Sequence, residues 1–456
     1  MKKWITLCAV LLLTWSAEAA TELQDTLKYR ISLKDKQATT YSLQQPEAFL
    51  SPKALARRHR QGLEVDSTDL PVCRSYEEAI RGLGLRVVSR GKWENFVTVA
   101  CNDTAWMAQA RALPFVKQIE KVWMATRQLD ITFHRENLLN QPKVFKDIHY
   151  GPAYTQISLS RGQKLHEAGF RGQGMTVAVI DAGFQNIDSI DALRNLRILG
   201  MHDFVHPKSD LCRESNHGLS VLSCIGANRP GVMVGTAPEA SFWLFRSEDE
   251  ASEHLVEQDY WCEAVEYADS VGVDVVNTSL GYYVFDDPTK NYQLRHLDGH
   301  YALMSRQASR MADKGMVLVC SAGNSGSGSW KKITPPADAE WVLTVGAINK
   351  EGQLASFSSV GNTTDGRIKP DVVAVGFNTD VIRPDGNQGF ANGTSFAAPI
   401  VCGLVTCLWQ ACPQLTAKQL IELVRRSGDR ADYPDNIYGY GVPDVWKAYQ
   451  WSLENR

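Results

Sequence analysis

Five short runs of this chain are apolar at almost every position: MTVAVID (175–181), SFWLF (241–245), VDVVNTSL (273–280), MVLVCSA (316–322) and WVLTVGAI (341–348). Runs of this length without polar alternation suit strands covered on both faces, which is the condition of a parallel sheet flanked by helices. Helical patterns lie between them, so from Gly162 onward the sequence predicts an α/β unit with a doubly wound, mostly parallel sheet. In such folds reacting groups gather beyond the carboxyl ends of the strands. The residues that follow each run therefore matter most.

Ahead of this unit the pattern changes. Between residues 21 and 148 it reads strand (28–33), helix (49–61), helix (75–84), strand (85–90), strand (95–101), helix (104–113) and strand (115–122). With the first helix as an insertion, the order is βαββαβ: a small α+β, ferredoxin-like unit whose antiparallel sheet is covered by two helices. A polar stretch from Arg127 to Gly151 reads as a linker. The expected organisation is 1–20 as a leader, 21–148 as the front unit with its linker, and 149–456 as the main unit. Residues 21–148 carry a net +5 and residues 1–20 a net +1, leaving −9 on the rest of a chain whose total is −3. A basic front unit would dock on an acidic main unit, although an asymmetry of this size also arises by chance.

The first twenty residues, MKKWITLCAVLLLTWSAEAA, place two lysines before an apolar run and end in small residues at Ala17, Ala19 and Ala20. That is the form of a secretory signal peptide, and the run is shorter than the ~20 residues that span a bilayer. The sequence thus predicts an exported protein, periplasmic or extracellular, with no membrane span. With 44% hydrophobic and 22% charged residues and no low-complexity tract, it gives no sign of a nucleic-acid partner, and a monomer is expected. Nine cysteines follow Cys8, so at least one stays unpaired; Cys224, Cys320, Cys402 and Cys407 lie in apolar runs suited to buried thiols.

Four residues could carry chemistry. Asp181 ends VAVID, either as a turn cap or as a functional carboxylate. His217 opens an apolar helical pattern in SNHGLSVLSCIGA, where Gly218 leaves space beside the ring. Alone it is surface decoration; with partners it can take and return a proton. Asn324, in MVLVCSAGNSGSGS, is a turn residue or an amide donor to a developing oxyanion. In NGTSFAAPIV, Thr394 and Ser395 are good N-caps for the apolar helix that follows. A helix start also offers free N–H groups and a positive dipole end, which favour the oxygen anion formed when a serine attacks a carbonyl. Cap and nucleophile are compatible at one position. His202/His206 and His296/His300 share i,i+4 spacing without the glutamate of a zincin, and Cys402, Cys407 and Cys412 lack CxxC spacing, so no metal is expected.

Together these segments resemble the subtilase family of serine proteases. VAVIDAG is similar to its aspartate motif, NHGLSVLS to its histidine motif, NTSLG to its substrate-binding strand, SAGN to its oxyanion-hole motif and NGTSFAAP to its serine motif, in the family's order and over about residues 150–450. The resemblance implies a serine endopeptidase acting on proteins or peptides, with Asp181 as orienting carboxylate, His217 as general base and acid, and Ser395 as nucleophile. Asn324 and the Ser395 N–H would form the oxyanion hole. Ser279, Leu280, Gly281, Ser321 and Gly323 would line the primary specificity pocket, with Thr334 near its base and Pro335–Pro336 as a candidate cis bond.

The chain also departs from the family. Leu219 stands where a threonine is usual and Leu222-Ser223 where Ala-Gly is commoner, neighbours that could tune the histidine. The segment ANRPGVMVG (227–235) lacks the acidic, asparagine-rich loop that binds calcium in some relatives, so no cofactor is expected and a structural calcium finds no support. The front unit resembles the family's propeptides, which assist folding and then block the cleft. That implies a zymogen, with the N-terminal unit as intramolecular inhibitor and chaperone, cut between about Arg127 and Ile157. The alternatives are a catalytically silent binding protein on the same fold and an esterase using the same nucleophile.

Overall fold

The computed structural model describes residues 27–125 and 149–454. The expected signal peptide and nearly all of the expected linker lie outside these residues.

The front unit consists of β1 (Leu27–Leu33), α1 (Pro52–Arg60), α2 (Arg74–Arg81), β2 (Arg86–Gly91), β3 (Phe96–Cys101), α3 (Met107–Ala112) and β4 (Val116–Met124). Its four strands pair antiparallel in the order β2-β3-β1-β4, the arrangement expected of a βαββαβ unit. Alternation along the strands sends Tyr29, Ile31, Leu33, Val97 and Val99 into a small core with Ile80, Trp106 and Phe115. The inserted helix α1 starts at Ser51, whose hydroxyl accepts from the Ala54 N–H at 3.2 Å, with Pro52 in the first turn, where a missing N–H costs nothing.

The main unit is built on β5 (Thr176–Asp181), β6 (Arg197–Asp203), α4 (His217–Gly226), β7 (Ser241–Arg246), α5 (Val256–Val271), β8 (Val275–Thr278), α6 (Leu303–Met311), β9 (Val317–Ser321), β10 (Val342–Ile348) and β11 (Val372–Val375). After them come the hairpin β12 (Thr379–Ile382) and β13 (Gln388–Ala391), then α7 (Thr394–Ala411), α8 (Ala417–Ser427) and α9 (Val445–Glu454). The seven-stranded sheet has the order β11-β10-β9-β8-β5-β7-β6, with every neighbouring pair parallel. The chain leaves β5 in one direction to reach β6 and β7, and in the other to reach β8 onward. The carboxyl end of β5 is therefore the switch point where a crevice forms.

β6 and β11 lie outside the five runs: β11 is a short apolar VVAV, whereas β6 is mixed. β6 (RILGMHD) is an edge strand with Leu199 and Met201 exposed, so it needs no continuous apolar sequence. α7 is apolar and long enough for a membrane span, but 89% of it is buried inside the protein, where it packs under the sheet with α4, α8 and α9.

Trp93, Phe96 and Val122 of the front unit join the core that holds α5 and α6. Around that apolar contact lies an ionic one. α5 carries Asp259, Glu263, Glu266 and Asp269 at intervals of three and four, hence on one face. Arg30 Nε donates to Asp259 at 2.6 Å, the Lys92 and Trp93 N–H groups donate to Glu266 at 2.5 and 2.9 Å, and Arg57 and Arg58 reach Asp269 at 2.5 and 2.8 Å. The expected docking of a basic front unit on acidic groups is thus present, though some pairs run the other way, as where Lys314 meets Asp66 at 2.9 Å and Asp69 at 3.1 Å. The insertion around α1 also reaches the amino edge of the main sheet, where Gln61 donates to the Gly315 carbonyl and accepts from the Ala417 N–H, both at 2.8 Å.

Candidate active site

Asp181 is the last residue of β5, at the switch point, and is 2% exposed. Its Oδ1 accepts from the Ala182 N–H at 2.8 Å and lies 2.7 Å from His217 Nδ1. His217 is the first residue of α4, and the helix start can come this close because residue 218 is glycine. A Cβ there would lie 2.5 Å from the Gly183 carbonyl oxygen and 2.8 Å from Asp181 Cβ. The imidazole is about one-third exposed, with Phe396 on one side at a centroid distance of 5.6 Å. Burial works against its charged form, but the hydrogen-bonded Asp181 and the nearby Glu250 outweigh that and raise its pKa above the ordinary histidine value.

Ser395 lies in the first turn of α7 and is 8% exposed. Its hydroxyl donates to the Ser279 carbonyl at 3.2 Å, while the Ser279 hydroxyl donates to the Ser395 carbonyl at 2.9 Å. The two segments are thus clasped, and the nucleophile's hydroxyl is parked on the strand end rather than on the imidazole. Hydrogen bonds of this kind commonly tighten only when substrate is present.

The expectation that Thr394 or Ser395 caps α7 is corrected. The cap position is Gly393, at φ +151°, and no side chain of its own caps the helix. The cap comes from Asn324, whose Oδ1 accepts from the Thr394 N–H at 2.9 Å and from the Thr394 hydroxyl at 3.0 Å. Thr394 Oγ1 in turn accepts from the Gly323 N–H at 3.1 Å. Asn324's oxygen is therefore spent on the helix start, which leaves its Nδ2 to donate elsewhere.

The remaining predicted residues converge. Ser279, Leu280 and Gly281 follow β8, Ser321 ends β9 and Ala322 and Gly323 follow it, all at the carboxyl edge of the sheet. Thr334 is 4% exposed, and any side chain at position 281 would collide with its hydroxyl. A Cβ on Gly323 would come within 2.9 Å of Ser359 Oγ and 3.1 Å of Thr334 Oγ1. Ser359, unmarked by any motif, thus belongs to the same wall. The Pro335–Pro336 bond is cis. Ser223, one of the departures from the family pattern, accepts from the Ile382 N–H at 2.9 Å and ties α4 to β12.

The histidine pairs do not form a centre. His202 stacks on Tyr267 at 5.6 Å and His296 on Tyr301 at 3.6 Å, and no group of three or more His, Cys, Asp or Glu converges among the described residues. Eight of the nine described cysteines are buried, Cys101 being the half-buried one.

The Peptidase S8 model of the subtilase family matches residues 172–441, and a Peptidase S8 propeptide model described for Bacteroidota matches residues 28–138. Subtilisin NAT of Bacillus subtilis subsp. natto is 32% identical over 347 residues, covering 73% of this chain and 82% of that protein. Serine protease AprX of Bacillus subtilis (strain 168) is 30% identical over 303 residues, covering 59% and 65%. Among solved structures, the MycP3 protease of the type VII (ESX-3) secretion system matches with a TM-score of 0.53 and 25% identity, over 67% of this chain and 89% of that one.

Proposed function

The chain belongs to the subtilase family, and from that premise we propose that it is an exported serine endopeptidase in which Ser395 attacks the peptide carbonyl with His217 and Asp181 completing a triad. The observation that carries this reading is the 2.7 Å contact between Asp181 Oδ1 and His217 Nδ1. It holds the imidazole with Nε2 free for the serine proton.

When a peptide enters, the Ser395 hydroxyl exchanges the Ser279 carbonyl for His217 Nε2. The imidazole takes the proton as Oγ bonds to the carbonyl carbon, and the buried Asp181 carboxylate stabilises the imidazolium so formed. The carbonyl oxygen, now an anion, is met by the Ser395 N–H at the positive end of α7 and by Asn324 Nδ2. The imidazolium returns its proton to the leaving amine, and water repeats the cycle to free the acyl group.

The family's propeptide match fits an intramolecular inhibitor made with the enzyme as a zymogen. Our assignment is 1–20 as signal peptide, 21–148 as prodomain with linker and 149–456 as catalytic domain. Support for the last boundary comes from the catalytic side: the Gly231 N–H donates to the His149 carbonyl at 3.1 Å, Tyr150 bonds His166 at 2.9 Å, and Ala153 and Ile157 are fully buried. The maturation cut therefore falls before His149, in the earlier part of the Arg127–Ile157 interval.

A fluorophosphonate probe tests the nucleophile. It should label Ser395 alone, and His217→Ala should abolish labelling. Labelling at another serine, or undiminished labelling in the variant, refutes the assignment.

A further inference from the structure

The geometry points to Thr334 as the residue that restricts this enzyme to peptides with a small side chain, that of Gly, Ala or Ser, beside the scissile bond. The inference rests on the protease reading above.

Two segments flank the space beside the nucleophile, and both are tied to the start of α7. Residues 279–281 are joined to Ser395 by the two hydrogen bonds between Ser279 and Ser395, at 3.2 and 2.9 Å. Residues 321–323 are joined to the neighbouring Thr394, whose Oγ1 accepts from the Gly323 N–H at 3.1 Å. A substrate side chain next to the attacked carbonyl has the gap between these two walls to enter. Each wall ends in a glycine, Gly281 and Gly323, which on its own would leave the gap wide.

Thr334 fills it. A Cβ on Gly281 would collide with Thr334 Oγ1, and a Cβ on Gly323 would lie 3.1 Å from the same oxygen and 3.4 Å from the Thr334 methyl. Both glycines thus point at one threonine side chain, which occupies the space that their own side chains would need. The threonine is 4% exposed and, being branched at Cβ, is stiff. Its backbone is pinned to both walls. The Thr334 N–H donates to the Ala322 carbonyl at 3.3 Å, and the Pro335 carbonyl accepts from the Tyr282 N–H at 3.0 Å. On the amino side, Trp330 Nε1 donates to the Ile333 carbonyl at 3.1 Å while its ring stacks on Tyr283 at 4.5 Å. The gap left above Thr334 takes a hydrogen, a methyl or a hydroxymethyl. A longer side chain has to push this pinned segment aside, and overpacking of that kind is costly.

The test is a set of internally quenched peptides of one sequence, carrying Gly, Ala, Leu or Phe at either of the two positions that flank the scissile bond, with the cut located by mass spectrometry. They are assayed with wild type, Thr334→Gly and Thr334→Val. At one of the two positions the wild type should favour Ala over Phe by about 100-fold in kcat/KM, within the range that a misfit of a carbon or more produces. Thr334→Gly should narrow that ratio by about tenfold or more, because the gap then admits the ring. Thr334→Val keeps the branched shape without the hydroxyl and should keep the wild-type ratio, as exclusion by size requires. Phe cleaved as well as Ala or better at both positions, a ratio unchanged in Thr334→Gly, or a Thr334→Val ratio that narrows as far as the glycine variant's, overturns the inference. If Thr334→Gly does not accumulate, Thr334→Ala takes its place with the same readings. Cleavage of the Ala peptide, and its loss in Ser395→Ala, tests the protease whether or not side-chain size matters, so the two readings fail separately.

Discussion

Asn324 caps the helix that carries Ser395: its Oδ1 accepts from the Thr394 N–H at 2.9 Å, so the donor assigned to the oxyanion is held by the same element that holds the nucleophile. Two substitutions separate these duties. Asn324→Ala should lower kcat by ~10²–10³, the cost of losing one oxyanion-hole donor in a subtilisin, and should also destabilise the start of α7 by about 1 kcal/mol. Asn324→Asp keeps the cap and loses the donor, so its kcat should fall while its thermal midpoint stays near wild type. An Asp variant as active as wild type would remove Asn324 from the oxyanion hole.

The pH profile of kcat/KM should report His217. The reaction needs a neutral imidazole, and Asp181 and Glu250 raise its pKa against the opposing effect of burial. Activity should accordingly rise with pH through a midpoint above the ordinary histidine value, and Glu250→Gln should move that midpoint to lower pH. Asp181→Asn should cost ~10⁴ in kcat, as in other Ser-His-Asp triads. A midpoint that stays put in Glu250→Gln would show that the surface carboxylate does not act on the ring.

Buried charge at the prodomain contact should make the precursor sensitive to single truncations. Asp269 is fully buried and shared by Arg57, Arg58 and Lys92. Arg58→Ala leaves Asp269 and Asp69 undercompensated and should cost about 3–5 kcal/mol. The urea midpoint of a Ser395→Ala precursor carrying this change is the readout. An unchanged midpoint would mean that Arg57 and Lys92 suffice.

Docking of the prodomain should also depend on pH, tightening in acid. Burial under the prodomain raises Glu263 to about 7 and Glu266 to about 6, above the ordinary glutamate value to which exposure would return them. A pKa higher in the docked state means that docking takes up protons. This contribution is complete below the ordinary glutamate value and is lost as pH rises through about 6 to 7. Asp269 runs the other way: although burial opposes it, Lys92, Arg57 and Arg58 hold it at about 2, so its contribution is lost only in strong acid. The processed prodomain should thus leave the catalytic domain faster at pH ~8 than at pH ~5.5, as read by gel filtration of the cut complex. Faster release at the lower pH would contradict this assignment.

Much of the fold and of the site is legible in the sequence. The apolar runs at 175–181, 273–280 and 316–322 became central strands because both of their faces are covered, and their carboxyl ends delivered Asp181, Ser279 and Asn324 to one crevice. The hidden features depend on contacts between distant segments. Nothing local in NGTSFAAP tells that its helix is capped by Asn324, 70 residues earlier in sequence. Likewise the α5 carboxylates look like a solvated stripe until the prodomain arginines cover them. Ser359 carries no motif, and Glu250 shows only as part of an acidic run after a strand; each matters through a neighbour that local spacing cannot supply.

The central claim is that Ser395 is the nucleophile, both for substrates and for the chain's own maturation. Intact mass and N-terminal sequencing of the secreted Ser395→Ala protein, with a casein assay on the same preparation, test it together. The account predicts an uncut chain beginning near Thr21 with no casein hydrolysis, beside a wild type cut before His149. A Ser395→Ala protein that matures normally and still hydrolyses casein would contradict it.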